Sequence, residues 1–307
     1  MTAPTNTFLS TAAIGNREDL IDIIYRISPT DVPFMSMCGK GKASATLHEW
    51  QTQDLATAAN NAAAEGDEAA AVAVTPTVRL GNRTQISTKT VIVSGTQEAV
   101  ESAGRKSEMA YQMTLKSLEL KRDMEVALTQ NNVTATAPRQ LRGLVGWAGD
   151  NVDAGAGYVA PNYVTNVAQT DGTQIAFTEA RLKNVLQKVF TAGGKPDTIM
   201  MGPLQKQTFS TFTGNATRFD GAEDKKVVAA VDVYVSDFGT LKAVPNRFQR
   251  ARDVWVLQSD MWDVEFLRPF FTQDLAKTGD SLKKQIIVEY TLRCGQPKAN
   301  GGVLDVL

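Results

Sequence analysis

Histidine is nearly absent from this chain: His48 is the only one in 307 residues, and cysteine occurs just twice, at Cys38 and Cys294. A single imidazole removes the commonest general base and the commonest metal ligand from most of the molecule. Two thiols at opposite ends of the chain make neither a disulfide framework nor the paired spacing of a zinc site, which suits a reducing cytoplasm. An excess of one charge is missing too. Lys and Arg number 32 against 33 Asp and Glu, a formal net charge of -1, so no sequence-wide basic field draws nucleic acid and any DNA contact must be local. No apolar run approaches the roughly 18 residues of a spanning helix, and the start "MTAPTNTFLS" lacks the charged flank and apolar core of a secretion signal. These absences predict a soluble cytoplasmic protein of one large domain or two, long enough to bury a core without staples.

The chemical motifs fail one by one. Cys38, His48 and Glu49 lie within a dozen residues, but Cys38 closes the apolar patch of Met35 and Met37, whereas His48 falls beyond the loop "GKGKAS" in a strand; a buried thiol and a half-exposed strand imidazole explain both. "TAGGKPD" lacks the glycine spacing and the Ser or Thr of a phosphate loop and reads as a helix C-cap. "SDFGT" has no accompanying kinase segments and reads as a hairpin turn. "DNVDAGAG" has Val152 where a calcium ligand is required and reads as a flexible surface loop. Acceptor triplets for glycosylation matter only in a secreted protein. No catalytic, cofactor-binding or metal site is expected, and no cofactor.

Along the chain, Leu20, Ile23, Ile24 and Ile27 line one face of a short amphipathic segment that ends against "SPTDVP", an arm unable to form a core alone. "ASATLHEW" alternates as a strand. Leu55 to Val74 holds ten alanines and nothing larger than Leu. Apolar burial worth about 25 cal/mol per Å² cannot there offset about 1 to 2 kcal/mol per residue of backbone entropy. The excursion from Trp50 to Thr84 therefore reads as a projecting loop between two strands, the second being "RTQISTKTVIVSGT". A helix is predicted from Thr96, as N-cap, to Gln130, about 50 Å long if continuous, with Gly104 a candidate bend. Leu182, Val185, Leu186 and Val189 mark another helix, capped by Thr178 and ended by Gly193. "TIMMGP" reads as a buried strand, "LQKQTFSTFT" as a helix begun by Pro203, and "AVDVYVS" as a strand alternating through Val231, Val233 and Val235. "GTLKAVPN", "RDVWVL" and "WDVEFLRP" follow as strands. "KQIIVEYTLRC" is a long strand with one buried side, carrying Ile286, Val288, Tyr290, Leu292 and Cys294.

Three stretches together resemble the tailed-bacteriophage major capsid proteins with the Hong Kong 97-type fold: Gly15 to Ala56, Gly104 to Leu128 and Val227 to Leu257, joined by "LAKTGDSLKKQIIVEYTL" near the end. The resemblance implies an α+β, Hong Kong 97-like fold divided into an N-terminal arm and first strand (1-50), an extended loop (51-95), a peripheral domain with a long spine helix (96-142 and 262-307) and an axial domain (143-261). Arg17, Glu18, Asp19, Pro29, Asp31 and Pro33 match the family's arm motif. Phe238, Gly239, Pro245, Asn246 and Arg247 match its axial hairpin. Arg17, Glu18, Asp19, Pro29, Asp31, Pro33 and Arg247 are the candidate assembly contacts, with no chemistry attached.

The implied function is self-assembly of an icosahedral phage head from pentamers and hexamers around double-stranded DNA, bound without sequence preference, in the host cytoplasm. Partners would include a separate scaffolding protein, a portal and a decoration protein, because no helical extension precedes the arm. Lysine is missing from Gln51 to Thr88, which argues against the loop-lysine crosslinks of some relatives. An encapsulin-like compartment shell and, from another class, an α/β enzyme with a lid near Asp150 are the alternatives.

Overall fold

The computed structural model describes residues 30–62, 65, 66, 68, 73–100, 106–212 and 233–307. The expectations for the amphipathic arm segment and for Val231 lie outside those residues.

Pro33 begins the chain's first helix, α1 (Pro33–Met37), at the position where its missing N–H would be unpaired in any case. There follow β1 (Gly39–Lys42), β2 (Leu47–Thr52), β3 (Val78–Arg83), β4 (Gln85–Ser94), α2 (Gly95–Ala99), α3 (Glu108–Thr129) and the short pair β5 (Ala135–Thr136) and β6 (Arg139–Gln140). After β7 (Asn151–Asp153) come α4 (Glu179–Thr191), β8 (Thr198–Met201), α5 (Pro203–Phe209), β9 (Val233–Ser236), β10 (Gly239–Pro245) and β11 (Asp253–Leu257). The chain closes with β12 (Trp262–Asp274), β13 (Ser281–Cys294) and β14 (Gly301–Leu304).

One sheet has the order β1-β12-β13-β4. "GKGKAS", expected as a loop, supplies β1, paired in parallel from Gly39 opposite Asp263 to Lys42 opposite Phe266. All four of its residues are exposed, so only backbone pairing betrays it. A Cβ at Gly39 would collide with the Asp263 carboxylate, and one at Gly41 with that of Glu265. The two glycines therefore make room for these acids, which pair with Arg293 on β13. β13 has both faces covered rather than one: Ile287, Glu289 and Thr291 are buried as fully as Val288 and Tyr290. The reason is that Thr84, Arg139 and Arg268 close over its second face.

The helix expected from Thr96 to Gln130 is two helices. Ser94, not Thr96, caps α2, its hydroxyl accepting the Gln97 N–H at 3.2 Å. Ser107 caps α3 by accepting the Ala110 N–H at 3.2 Å. Glu98 holds the break in place, because its carboxylate accepts the Ser107 hydroxyl at 2.6 Å and the Met109 N–H at 3.0 Å. Those bonds, the Ser107 one foremost, hold its pKa below the ordinary carboxylate value. At 1.5 Å per residue the 22 residues of α3 span about 33 Å. Met109, Leu120, Met124 and Leu128 face inward, at the helical spacing read from the sequence.

The second sheet has the order β7-β14-β11-β8-β10-β9. Every residue of β11 is buried. Val254 and Val256 join the core beneath α4, with Val185, Leu186 and Val189, whereas Trp255 and Leu257 join the core that holds Trp262, Tyr290, Leu120 and Met124. One strand thus ties the two cores together. α4 ends at Gly193, whose φ of +89° is the left-handed geometry that glycine adopts without strain. "DNVDAGAG" is not a flexible loop at its start: β7 runs parallel to β14, and α4 grips it through Arg181 and Asn184 to Asp153 and through Lys188 to the Val152 carbonyl at 2.7 Å. The valine alternation of β9 points outward. Tyr234 is the buried residue, and Val233 and Val235 are exposed.

Candidate assembly surfaces

β2 and β3 form a free-standing antiparallel ribbon from Leu47 opposite Arg83 to Thr52 opposite Val78. Beyond it, every described residue from 53 to 77 is exposed, Leu55 at 96% and Val74 at 88%. The root, in contrast, is anchored. Trp50 packs on Trp147 with ring centroids 5.3 Å apart, and Trp147 stacks on Tyr163 at 5.6 Å. The buried Asn82 amide donates to the Arg142 and Leu292 carbonyls at 3.0 and 2.7 Å and accepts the Arg142 N–H at 2.8 Å. Asp54 accepts from Gln296 at 2.9 Å and pairs with Lys298. A rigid root with an uncovered apolar tip is the geometry of an element whose partner surface lies on another molecule.

A buried carboxylate lies where arm, spine helix and axial hairpin meet. Glu125 on α3 accepts the N–H of Phe34 at 2.7 Å, the N–H of Met35 at 2.9 Å and the Asn246 amide at 2.7 Å. Two of the unpaired N–H groups that open α1 are satisfied by this one side chain. Burial pushes its pKa up, against the pull of the three donors. Phe34 then seats its ring edge-on to Trp262, centroids 5.7 Å apart.

A second acid, Glu289, joins the ribbon base to the sheet. It accepts from Thr84 at 2.9 Å, Arg139 at 2.7 Å and Arg268 at 2.8 Å. Burial raises its pKa, but the bonds from Thr84, Arg268 and Arg139 outweigh that, and the net direction is down. In the axial part, Asp171 and Asp305 are held by Arg250 and Arg252. Asp253 is buried beside them with both oxygens unbonded. Arg250 Nη1 stands 3.5 Å from Asp253 Oδ2 without making a hydrogen bond. Burial pushes the Asp253 pKa up to about 7.

Of the residues singled out in the sequence, Arg17, Glu18, Asp19 and Pro29 lie outside the described residues. Asp31 is exposed just ahead of α1, and Pro33 opens that helix. Arg247 is exposed at the turn after β10. Their neighbours Phe34 and Asn246 converge on Glu125, the residue sequence reasoning missed. Its signal was an acid inside the apolar run of "RDMEVAL". Cys38 is buried behind α1, and burial pushes its thiol well up, leaving it protonated. His48 is half-buried in β2 with its ring centroid 6.0 Å from that of Trp50. Among the described residues no group of three or more His, Cys, Asp or Glu is placed to hold a metal ion. No helix there is long and apolar enough to cross a membrane.

A family model described as SU10 major capsid protein matches residues 3–306. The chain belongs to this family. It is thus a phage major capsid protein, a structural component of the virion shell. The major capsid protein of Escherichia phage Phieco32 is 29% identical over 98% of this chain and 97% of its own length. Among solved structures, the capsid of cyanophage A-1(L) superposes with a TM-score of 0.68 at 13% identity, covering 97% of this chain and 98% of that one. The holo-SrpI encapsulin of Synechococcus elongatus PCC 7942 reaches 0.59 at 10% identity, covering 95% and 92%. This mixed α+β fold is shared by phage capsids and an encapsulin, so the fold alone does not separate the two; the full-length family match favours the phage.

Proposed function

We propose that this major capsid protein assembles into an icosahedral head of pentamers and hexamers around double-stranded DNA, in a Hong Kong 97-like arrangement. The arm and first strand (1-50) and the extended loop (51-95) reach across neighbouring copies. The peripheral domain (96-142 and 262-307) and the axial domain (143-261) form the wall. Residues 85–94 of the loop stretch hydrogen-bond into the wall's own sheet, opposite β13, so the reaching part is 53–77. The uncovered tip on a rigid root carries this reading, since a chain that buries its own core yet exposes Leu55 and Val74 gains by laying them on a copy of itself.

Arg17, Glu18, Asp19, Pro29, Asp31, Pro33 and Arg247 are assembly contacts in this reading, and the protein is not an enzyme. A net charge of -1 fits a wall that encloses DNA without gripping a sequence. A separate scaffolding protein, a portal and a decoration protein complete the particle. Many interfaces of about 800 Å² per partner sum into a persistent shell. Negative-stain microscopy of the purified protein tests the proposal: closed shells with fivefold and sixfold clusters are expected. A population of solitary subunits under all assembly conditions contradicts it, and shells that package a protein cargo in place of DNA favour the encapsulin-like alternative.

A further inference from the structure

An open apolar groove of about 430 Å³ lies between the outer side of α3 and the hairpin of β12 and β13, lined by Met113, Leu118, Phe270, Phe271 and Ile286 among others. Phe270 and Phe271 are more than a third exposed, and nothing among the described residues covers them.

The occupant follows from where the chain enters. Glu125 holds the first N–H groups of α1, so the segment upstream of Pro33 leaves α3 at position 125. On a helix, positions 125, 121, 118 and 114 follow one another along a single stripe, and Leu118 and Thr114 line the groove. At 1.5 Å per residue Leu118 lies about 10 Å and Thr114 about 16 Å from Glu125 along the axis. Upstream, Leu20, Ile23, Ile24 and Ile27 carry the spacing of one apolar helical face. Those eight residues span about 12 Å as a helix, and the few residues from Ser28 to Val32 suffice to connect them to α1.

We infer that the segment from Leu20 to Ile27 docks as a helix in this groove of its own subunit, with its four aliphatic side chains against Leu118, Phe270 and Phe271. The arm is then clamped along the spine helix as far as Leu20, and only residues before it remain to reach a neighbour.

Pairing Ile24→Cys with Leu118→Cys in the full-length chain tests this, since the native thiols Cys38 and Cys294 are buried and do not compete. Mild oxidation is expected to join the two positions within one chain, giving a faster-migrating monomer on a non-reducing gel that neither single variant gives. A disulfide between chains would assign the groove to a neighbour's arm and overturn the inference, as would no disulfide. A second readout spares the arm's own sequence. Phe270→Ser is expected to speed tryptic cleavage after Arg26 about tenfold with secondary structure unchanged, and an unchanged cleavage rate overturns the docking.

Discussion

Replacing Glu125 with alanine strips three donors of their acceptor at once. Phe34 N–H, Met35 N–H and the Asn246 amide all bond to this carboxylate at 2.7 to 2.9 Å. Each buried donor left unpaired costs about 1 to 3 kcal/mol, and the three share one small site, so their losses do not add fully. A destabilisation of about 3 to 5 kcal/mol is expected, the range for breaking a buried charged network. Glu125→Gln separates geometry from charge. It keeps one oxygen where Phe34 and Asn246 donate, but turns an NH2 toward the Met35 N–H, so about 1 to 2 kcal/mol is lost. Urea unfolding of the unassembled subunit, compared at constant m-value, measures both. Equal effects from the two variants, or losses below about 0.5 kcal/mol, would refute the idea that this carboxylate joins arm, spine and axial hairpin.

Two further outcomes follow from the same geometry. The Asp253 carboxyl has a folded pKa near 7, above its unfolded value near 3.9, so the folded state holds the extra proton and stability falls as pH rises from about 4 to about 7. At about 1.4 kcal/mol per pH unit the loss reaches at most about 4 kcal/mol, and Arg250, Arg252, Asp171 and Asp305 are the charged groups facing it. Asp253→Asn is expected to flatten that slope in denaturant titrations at pH 5 and 8; an unchanged slope contradicts the assignment. Excising residues 53–77 and joining Thr52 to Val78 through an Asn-Gly turn, which suits a two-residue hairpin, is expected to shift subunit stability by less than about 1 kcal/mol, since the described residues removed are all exposed. The same excision is expected to abolish shell formation in sedimentation, and shells in normal yield would count against the loop as an assembly element.

The parts legible in the sequence are those whose side-chain pattern and burial coincide. α4 buries the four residues its spacing marked, Leu182, Val185, Leu186 and Val189, and Pro203 opens α5. The projecting ribbon was visible because alanines cannot hold a segment down. The errors arose where distant groups decide. Nothing local says that Glu98 folds back to cap a new helix at Ser107, or that backbone pairing alone draws "GKGK" beside β12. Val233 and Val235 looked inward by alternation, yet Tyr234 has the larger apolar area to bury and sits beside Phe209, ring centroids 5.6 Å apart. Glu125 was hidden for a related reason: its three partners lie about 90 and 120 residues away in the chain.

Thiol labelling at the loop tip tests the central claim most directly. Leu55→Cys puts one accessible thiol on a residue that is 96% exposed in the subunit, while the native cysteines stay buried. Labelling is expected to be fast in unassembled subunits and at least tenfold slower in assembled particles, because the tip lies against a sister copy there. Equal rates in the two forms would mean that the loop touches no neighbour.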